Sequence, residues 1–157
     1  MPLGCSKPAE TRALDSSGIF TYQVTSADSG GDEIATINET KMTIDLGERS
    51  FSVNRKGVLG PEFELKSGEK IIASASQKPF FNQYKLVHDG KEWRFKALGL
   101  LALKFGLFRG DTQIGTIATR WVNRLKDIRV DLPDELPSEV QVFLLLLLVR
   151  HWSDTNN

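Results

Sequence analysis

PSEVQVFLLLLLVRHW, residues 137–152, is the stretch of this 157-residue chain that leaves no side for water. Ser138 and Gln141, three residues apart, have the form of a capping box, and Arg150 and His151 put positive charge where the negative end of a helix would lie. The segment is therefore predicted to be a helix over residues 138–152. Wound at ~100° per residue, Val140, Phe143, Leu144 and Leu147 take one side, while Leu145, Leu148 and Trp152 take the side that carries Gln141. A helix that is apolar all round must be enclosed by protein or by lipid, and its length separates the two. The unbroken run Val142–Val149 rises only ~12 Å, against the ~30 Å of a bilayer core, so a buried core helix is expected and a membrane span is not.

What surrounds such a helix is bounded by the rest of the composition. With 40% hydrophobic and 25% charged residues, the chain has the profile of one compact soluble domain. Cys5 is its only cysteine, so no intramolecular disulfide can form. The opening MPLGCSKPAE has neither a basic leader nor an apolar core of signal-peptide length, which makes a cytoplasmic location the expectation. Gly4-Cys5-Ser6 is not an acylation signal, because a myristoylated glycine must directly follow Met1 and Pro2 stands there. Net charge is zero, yet residues 78–129 hold 11 Lys and Arg against 4 Asp and Glu, a surplus of +7, while residues 1–48 sum to −5. Such asymmetry marks a candidate surface for anionic partners.

Residues 1–17, rich in Ser, Pro, Ala and charge without an apolar period, read as a flexible lead-in to a single domain over 18–157. Alternating strands follow. IFTYQV (19–24) is succeeded by the turn-rich SADSGGDE, and KMTIDLG and RSFSVNRKG bracket a hairpin turn at Gly47-Glu48. VLGPEFELKSGEKIIASAS reads as two strands joined by Lys66-Ser67-Gly68-Glu69, with Pro61 tolerable at a strand start, an edge or a bulge. FNQYKLV and KEWRFKAL meet at His88-Asp89-Gly90, a strong hairpin signal that turns Trp93, Phe95 and Ala97 to one side and Arg94 and Lys96 to the other. ALGLLALKFGLF (97–108) is apolar on both phases, and its Gly99 and Gly106 favour one or two buried strands over a helix. Arg109-Gly110-Asp111 is read as a hairpin loop, and TQIGTIATRWV and LKDIRVDL complete about ten strands before the helix.

A flat sheet could cover only half of an all-apolar helix. An antiparallel, closed or nearly closed β-barrel of about 10–12 strands wrapped around it covers every face and removes the sheet edges, and this mainly β (α+β) architecture is the expected fold.

The layout resembles the tubby C-terminal-like superfamily, which includes the plant LURP-one-related proteins, the phospholipid scramblases and small bacterial relatives. The resemblance runs over residues 19–152 and is carried by FELKSGEKIIASAS (63–76), GDTQIGTIATRW (110–121) with Gly115-Thr116-Ile117 at its centre, and DLPDELPSEVQVFLLLLLV (131–149). It implies a strand barrel threaded by the C-terminal helix. Tubby domains bind phosphoinositides, and scramblases are linked to membrane lipid movement and calcium, so it also implies a role at lipid. None of the relatives' ligand residues has a one-for-one counterpart here, and the candidate contacts come from the charge pattern.

Chemistry-bearing motifs are absent from the sequence. Neither His88 nor His151 has a His or Cys at metal-ligand spacing, and no G-x-S-x-G, phosphate loop or dinucleotide fingerprint occurs. Asp28, Asp32 and Glu33 do not have the spacing of an EF-hand loop, and Asp131, Asp134, Glu135 and Glu139 complement a helix N-terminus. No enzyme activity, cofactor or metal is expected. Nor is nucleic acid, because Trp93 and Phe95 point away from Arg94 and Lys96 and cannot form a stacking platform with them. The expected function is a non-enzymatic binding module, peripheral to a membrane, whose Lys91, Arg94, Lys96, Lys104 and Arg109 contact anionic phospholipid headgroups. The alternative is a protein-interaction or scaffold domain without a small ligand.

Overall fold

The computed structural model describes residues 8–9, 12–14, 20–25, 33–57, 60–78, 82–99, 103–119 and 128–155. Cys5, the 26–32 loop with Asp28 and Asp32, residues 100–102 and Trp121 lie outside the described residues. Thirteen strands precede one helix: β1 (Pro8–Ala9), β2 (Arg12–Leu14), β3 (Phe20–Thr25), β4 (Glu33–Asn38), β5 (Thr43–Leu46), β6 (Arg49–Lys56), β7 (Glu62–Ser67), β8 (Lys70–Gln77), β9 (Gln83–His88), β10 (Lys91–Leu98), β11 (Lys104–Arg109), β12 (Thr112–Ala118), β13 (Ile128–Asp131) and α1 (Ser138–Thr155). Within the segment expected to lead in, Pro8–Ala9 and Arg12–Leu14 are strands. β4 is not among the strands that alternation predicts, because Ile34 and Ile37 fall on opposite phases and blur the period.

All strands belong to one antiparallel sheet in the order β1-β13-β12-β11-β10-β9-β8-β7-β6-β5-β4-β3-β2, a meander in chain order except for β1. The expectation of a mainly β fold with a C-terminal helix is met. The sheet is not closed, however, since no ladder among the described residues joins β1 to β2.

Hydrophobic alternation sets the inner face. Val53 lies opposite Leu65, Leu86 opposite Trp93 and Phe95 opposite Leu107, and all six are buried. The Asp89-Gly90 hairpin forms as expected, both residues holding the positive φ that a primed turn requires (51° and 74°). Tight turns at Gly47, Gly68, Gly90 and Gly110 join β5 to β6, β7 to β8, β9 to β10 and β11 to β12. In an antiparallel meander these alternate connections share one rim of the sheet, and the intervening connections share the other.

Helix α1 is buried on every face: Val140 and each residue from Val142 to Val149 are at most 1% exposed. It runs to Thr155, beyond the expected end, so Arg150 and His151 fall before its last turn. The Pro137 carbonyl accepts the first helical bond, from Gln141 N at 3.1 Å. Gln141, itself fully buried, donates its side-chain amide to Leu136 O (2.8 Å) and Pro133 O (3.2 Å), tying the entering loop to the first turn. Arg49 reaches Glu139 at 3.1 Å, and Arg109 reaches Glu135 just ahead of the helix, so the N-terminal end of α1 lies at the tight-turn rim. No helix among the described residues is long and apolar enough to cross a membrane.

Candidate functional site

The outer face of β8, β9 and β10 follows from the same alternation that buries Trp93 and Phe95. Arg94 pairs with Lys85 across β9–β10, and Lys85 with Ser76 across β8–β9, so these three side chains stand side by side, facing away from the core. With Lys78, Gln83 and Glu92 they line a groove of about 440 Å³. Three cations and one carboxylate thus share one concavity. The carboxylate is engaged: Lys85 Nζ sits 2.9 Å from Glu92 Oε1, with both side chains more than half exposed.

The five residues expected to contact lipid do not form one cluster. Arg94 lies in the groove and donates to Gly110 O at 2.7 Å, with a looser 3.4 Å contact to the fully exposed Asp111. Lys96, two residues along the same face, rests its ammonium 4.5 Å from the centre of the Phe108 ring. The ring can lie there because Gly106, opposite Lys96, has no Cβ; one would fall 2.9 Å from Phe108 Cε1. Lys104, opposite Leu98, is exposed on this same outer face. Lys91 is exposed at the far end of β10, on the opposite alternation phase, about 23 Å from the Leu98 end at the rise of an extended strand. Arg109 also leaves the set, because it pairs with Glu135 at the helix entrance.

The structure therefore brings together Arg94, Lys96 and Lys104 on one face and separates Lys91 and Arg109 from them. It adds Lys85 and Lys78, which the charge surplus includes but the search around the β10 aromatics passes over. Lys85 was within reach of sequence reasoning, since the two-residue Asp89-Gly90 turn fixes the register that sets it opposite Arg94. Lys78 follows the end of β8, where alternation gives no phase. Among the described residues no three His, Cys, Asp or Glu side chains gather as a metal site would require. No family model matches the chain, and neither a curated protein nor a solved structure does.

Proposed function

We propose that the protein is a non-enzymatic binding module, peripheral to a membrane on its cytoplasmic side, that takes anionic phospholipid headgroups on the outer face of β8–β11. The observation that carries this reading is the groove in which Lys85 and Arg94 stand opposite one another beside Lys78, with Lys96 and Lys104 continuing the face. Its ion pairs are exposed and therefore weak, on the order of 0–1 kcal/mol each, so a phosphate can displace the carboxylates that now hold Lys85 and Arg94. Each cation near an anionic surface contributes about 1 kcal/mol, so Lys85→Gln with Lys96→Gln should weaken vesicle binding by roughly 30-fold, and added salt should weaken it further. Sedimentation with phosphatidylcholine vesicles, with and without phosphatidylserine, is the direct test. Equal binding to both would overturn the reading, and a stoichiometric protein partner recovered without lipid would put a scaffold role in its place.

The barrel belongs to the same proposal, as does membership of the tubby-like group. The sheet curls until its edges meet or nearly meet around α1. Three features support this: the two edge strands β1 and β2 are separated by only residues 10 and 11, β1 comes near β3, and the helix is covered on all sides. Gly115 fits the same picture, because it lets β12 press against the backbone of β13.

A further inference from the structure

A second concavity lies at the other rim, beside the C-terminal half of α1, and its lining is chemically unlike the outer groove. Arg55 at the end of β6, Phe63 at the start of β7, Gln77 at the end of β8 and Tyr84 at the start of β9 surround it, and Arg150 and His151 project from the helix. Leu147 contributes an apolar wall. The volume is about 250 Å³. Arg55, Gln77 and Tyr84 all stand on the inward phase of their strands, since Arg55 pairs with the buried Phe63 and Gln77 with the buried Tyr84. They thus converge on the mouth of the core from separate strands.

Among the described residues, no carboxylate pairs with the two arginines of this cavity. Elsewhere Arg49, Arg94 and Arg109 each reach a carboxylate, as Lys56 and Lys85 do. Neither Arg55 nor Arg150 has an ion-pair partner among the described residues, and Arg150 donates to the Met42 thioether at 3.5 Å. No acidic residue is among the described residues that line the space. Two guanidinium groups around one half-open concavity repel each other unless an anion lies between them, and the planar donor fork of Arg matches the oxygens of a phosphate. The backbone works against an anion here, because the C-terminal end of a helix is its negative end. The attraction must therefore come from the side chains, which makes it testable by substitution. Phe63 and Tyr84, with ring centres 6.5 Å apart and planes inclined at 54°, give the space an aromatic side for a small organic part. The volume falls just short of the ~300 Å³ at which pockets for drug-sized ligands begin, so the occupant is small.

We infer that this cavity binds a phosphomonoester group on a small polar body, held by Arg55 and Arg150, at a site that shares only Gln77 with the outer groove and is independent of its function. The group could arrive on a soluble phosphorylated molecule or as the headgroup of a phosphorylated lipid, and both sources share the chemistry that the arginines read. Glycerol 3-phosphate added to the intact protein, against chloride at matched ionic strength, should raise the melting temperature saturably. Above the Kd, each tenfold rise in free ligand should add about 3–5 °C. Arg55→Gln, at an exposed strand end where folding is not at stake, should lower the affinity about tenfold or more, and Arg150→Gln should act in the same direction. Lys85→Gln with Lys96→Gln should leave this shift unchanged, so a failure of the outer-face proposal and a failure of this one are distinguishable. Phosphatidylcholine vesicles carrying phosphatidylinositol 4-phosphate separate the sources. Vesicle binding that falls further when Arg55→Gln is added to the Lys85/Lys96 variant identifies a lipid headgroup, and a melting shift without such a fall identifies a soluble ligand. The absence of any phosphate-specific shift, or a shift that survives Arg55→Gln in full, would overturn the site.

Discussion

Two glycines of the apolar β-rich region show how a single hydrogen in place of a side chain carries the packing. A Cβ on Gly115 would lie 2.7 Å from Asp131 O, a backbone atom held in the β12–β13 ladder, and 3.2 Å from Leu132 Cα. Gly115→Ala must force the two strands apart, at an expected cost of about 1–3 kcal/mol. On Gly106 the same methyl meets only the movable ends of Phe108 and Leu98. Gly106→Ala should therefore cost no more than about 0.5–1.5 kcal/mol, the scale of a displaced rotamer, while unseating the ring under Lys96. Urea unfolding of both variants ranks them, and the reverse order would mean that β13 does not pin Gly115. Gln141 makes a third case. Gln141→Leu keeps the volume but leaves Leu136 O without its side-chain donor, while Pro133 O keeps the Leu136 N–H at 3.1 Å, so a loss of about 1–3 kcal/mol is expected. Unchanged thermal stability would show that the Leu136 carbonyl is satisfied from elsewhere. Sequence reasoning singled out all three residues, but it read Gly106 only as a sign against a helix and gave Gln141 a capping role. The pairing with carbonyls of the entering loop depends on how residues 132–137 turn, which no periodicity encodes.

At the scale of the element, α1 was the most legible part of the chain, because eight consecutive apolar residues have no amphipathic solution and burial is the only outcome of that length. Its last three residues were not legible, since Ser153, Asp154 and Thr155 carry no apolar period to extend it. Leu146 is fully buried, and burial and membrane docking make opposite claims about it. Inside the sheet, Leu146→Asp leaves an unpaired carboxylate whose cost of several kcal/mol is comparable with the ~5–15 kcal/mol margin of a whole domain. That variant should precipitate or lose its β circular dichroism, whereas Leu146→Ala should remain folded with a loss of about 2–5 kcal/mol. A helix that instead left the sheet for a membrane would make Leu146→Asp folded and more soluble. Deleting residues 137–157 probes the same element, and a truncated chain that still melts cooperatively would refute the helix as core.

The whole molecule depends on where its sheet ends, and the sequence did not disclose this, because β1 and β2 are two and three residues long and sit in a segment whose composition reads as a tail. The face proposed to take headgroups was legible only in part for a related reason. The charge surplus covers the third of the chain that holds this face, but pairing decided which cations share a surface, setting Lys85 beside Arg94 and sending Arg109 to Glu135. The N-terminal strands have a clear physical task. β1 covers the free side of β13 and β2 that of β3, so their removal exposes two rows of unpaired backbone groups. Deletion of residues 1–17 should therefore leave the core and α1 folded, lower the melting temperature, and produce species that associate with rising concentration in sedimentation velocity. The effect should be larger than that of either strand pairing alone if the two edges approach each other around the helix, because opening a ring at one seam frees both sides at once. A truncated protein that stays monomeric and melts where the full chain does would mean that neither strand guards an edge, and that the closure proposed for this sheet is made by other contacts or not at all.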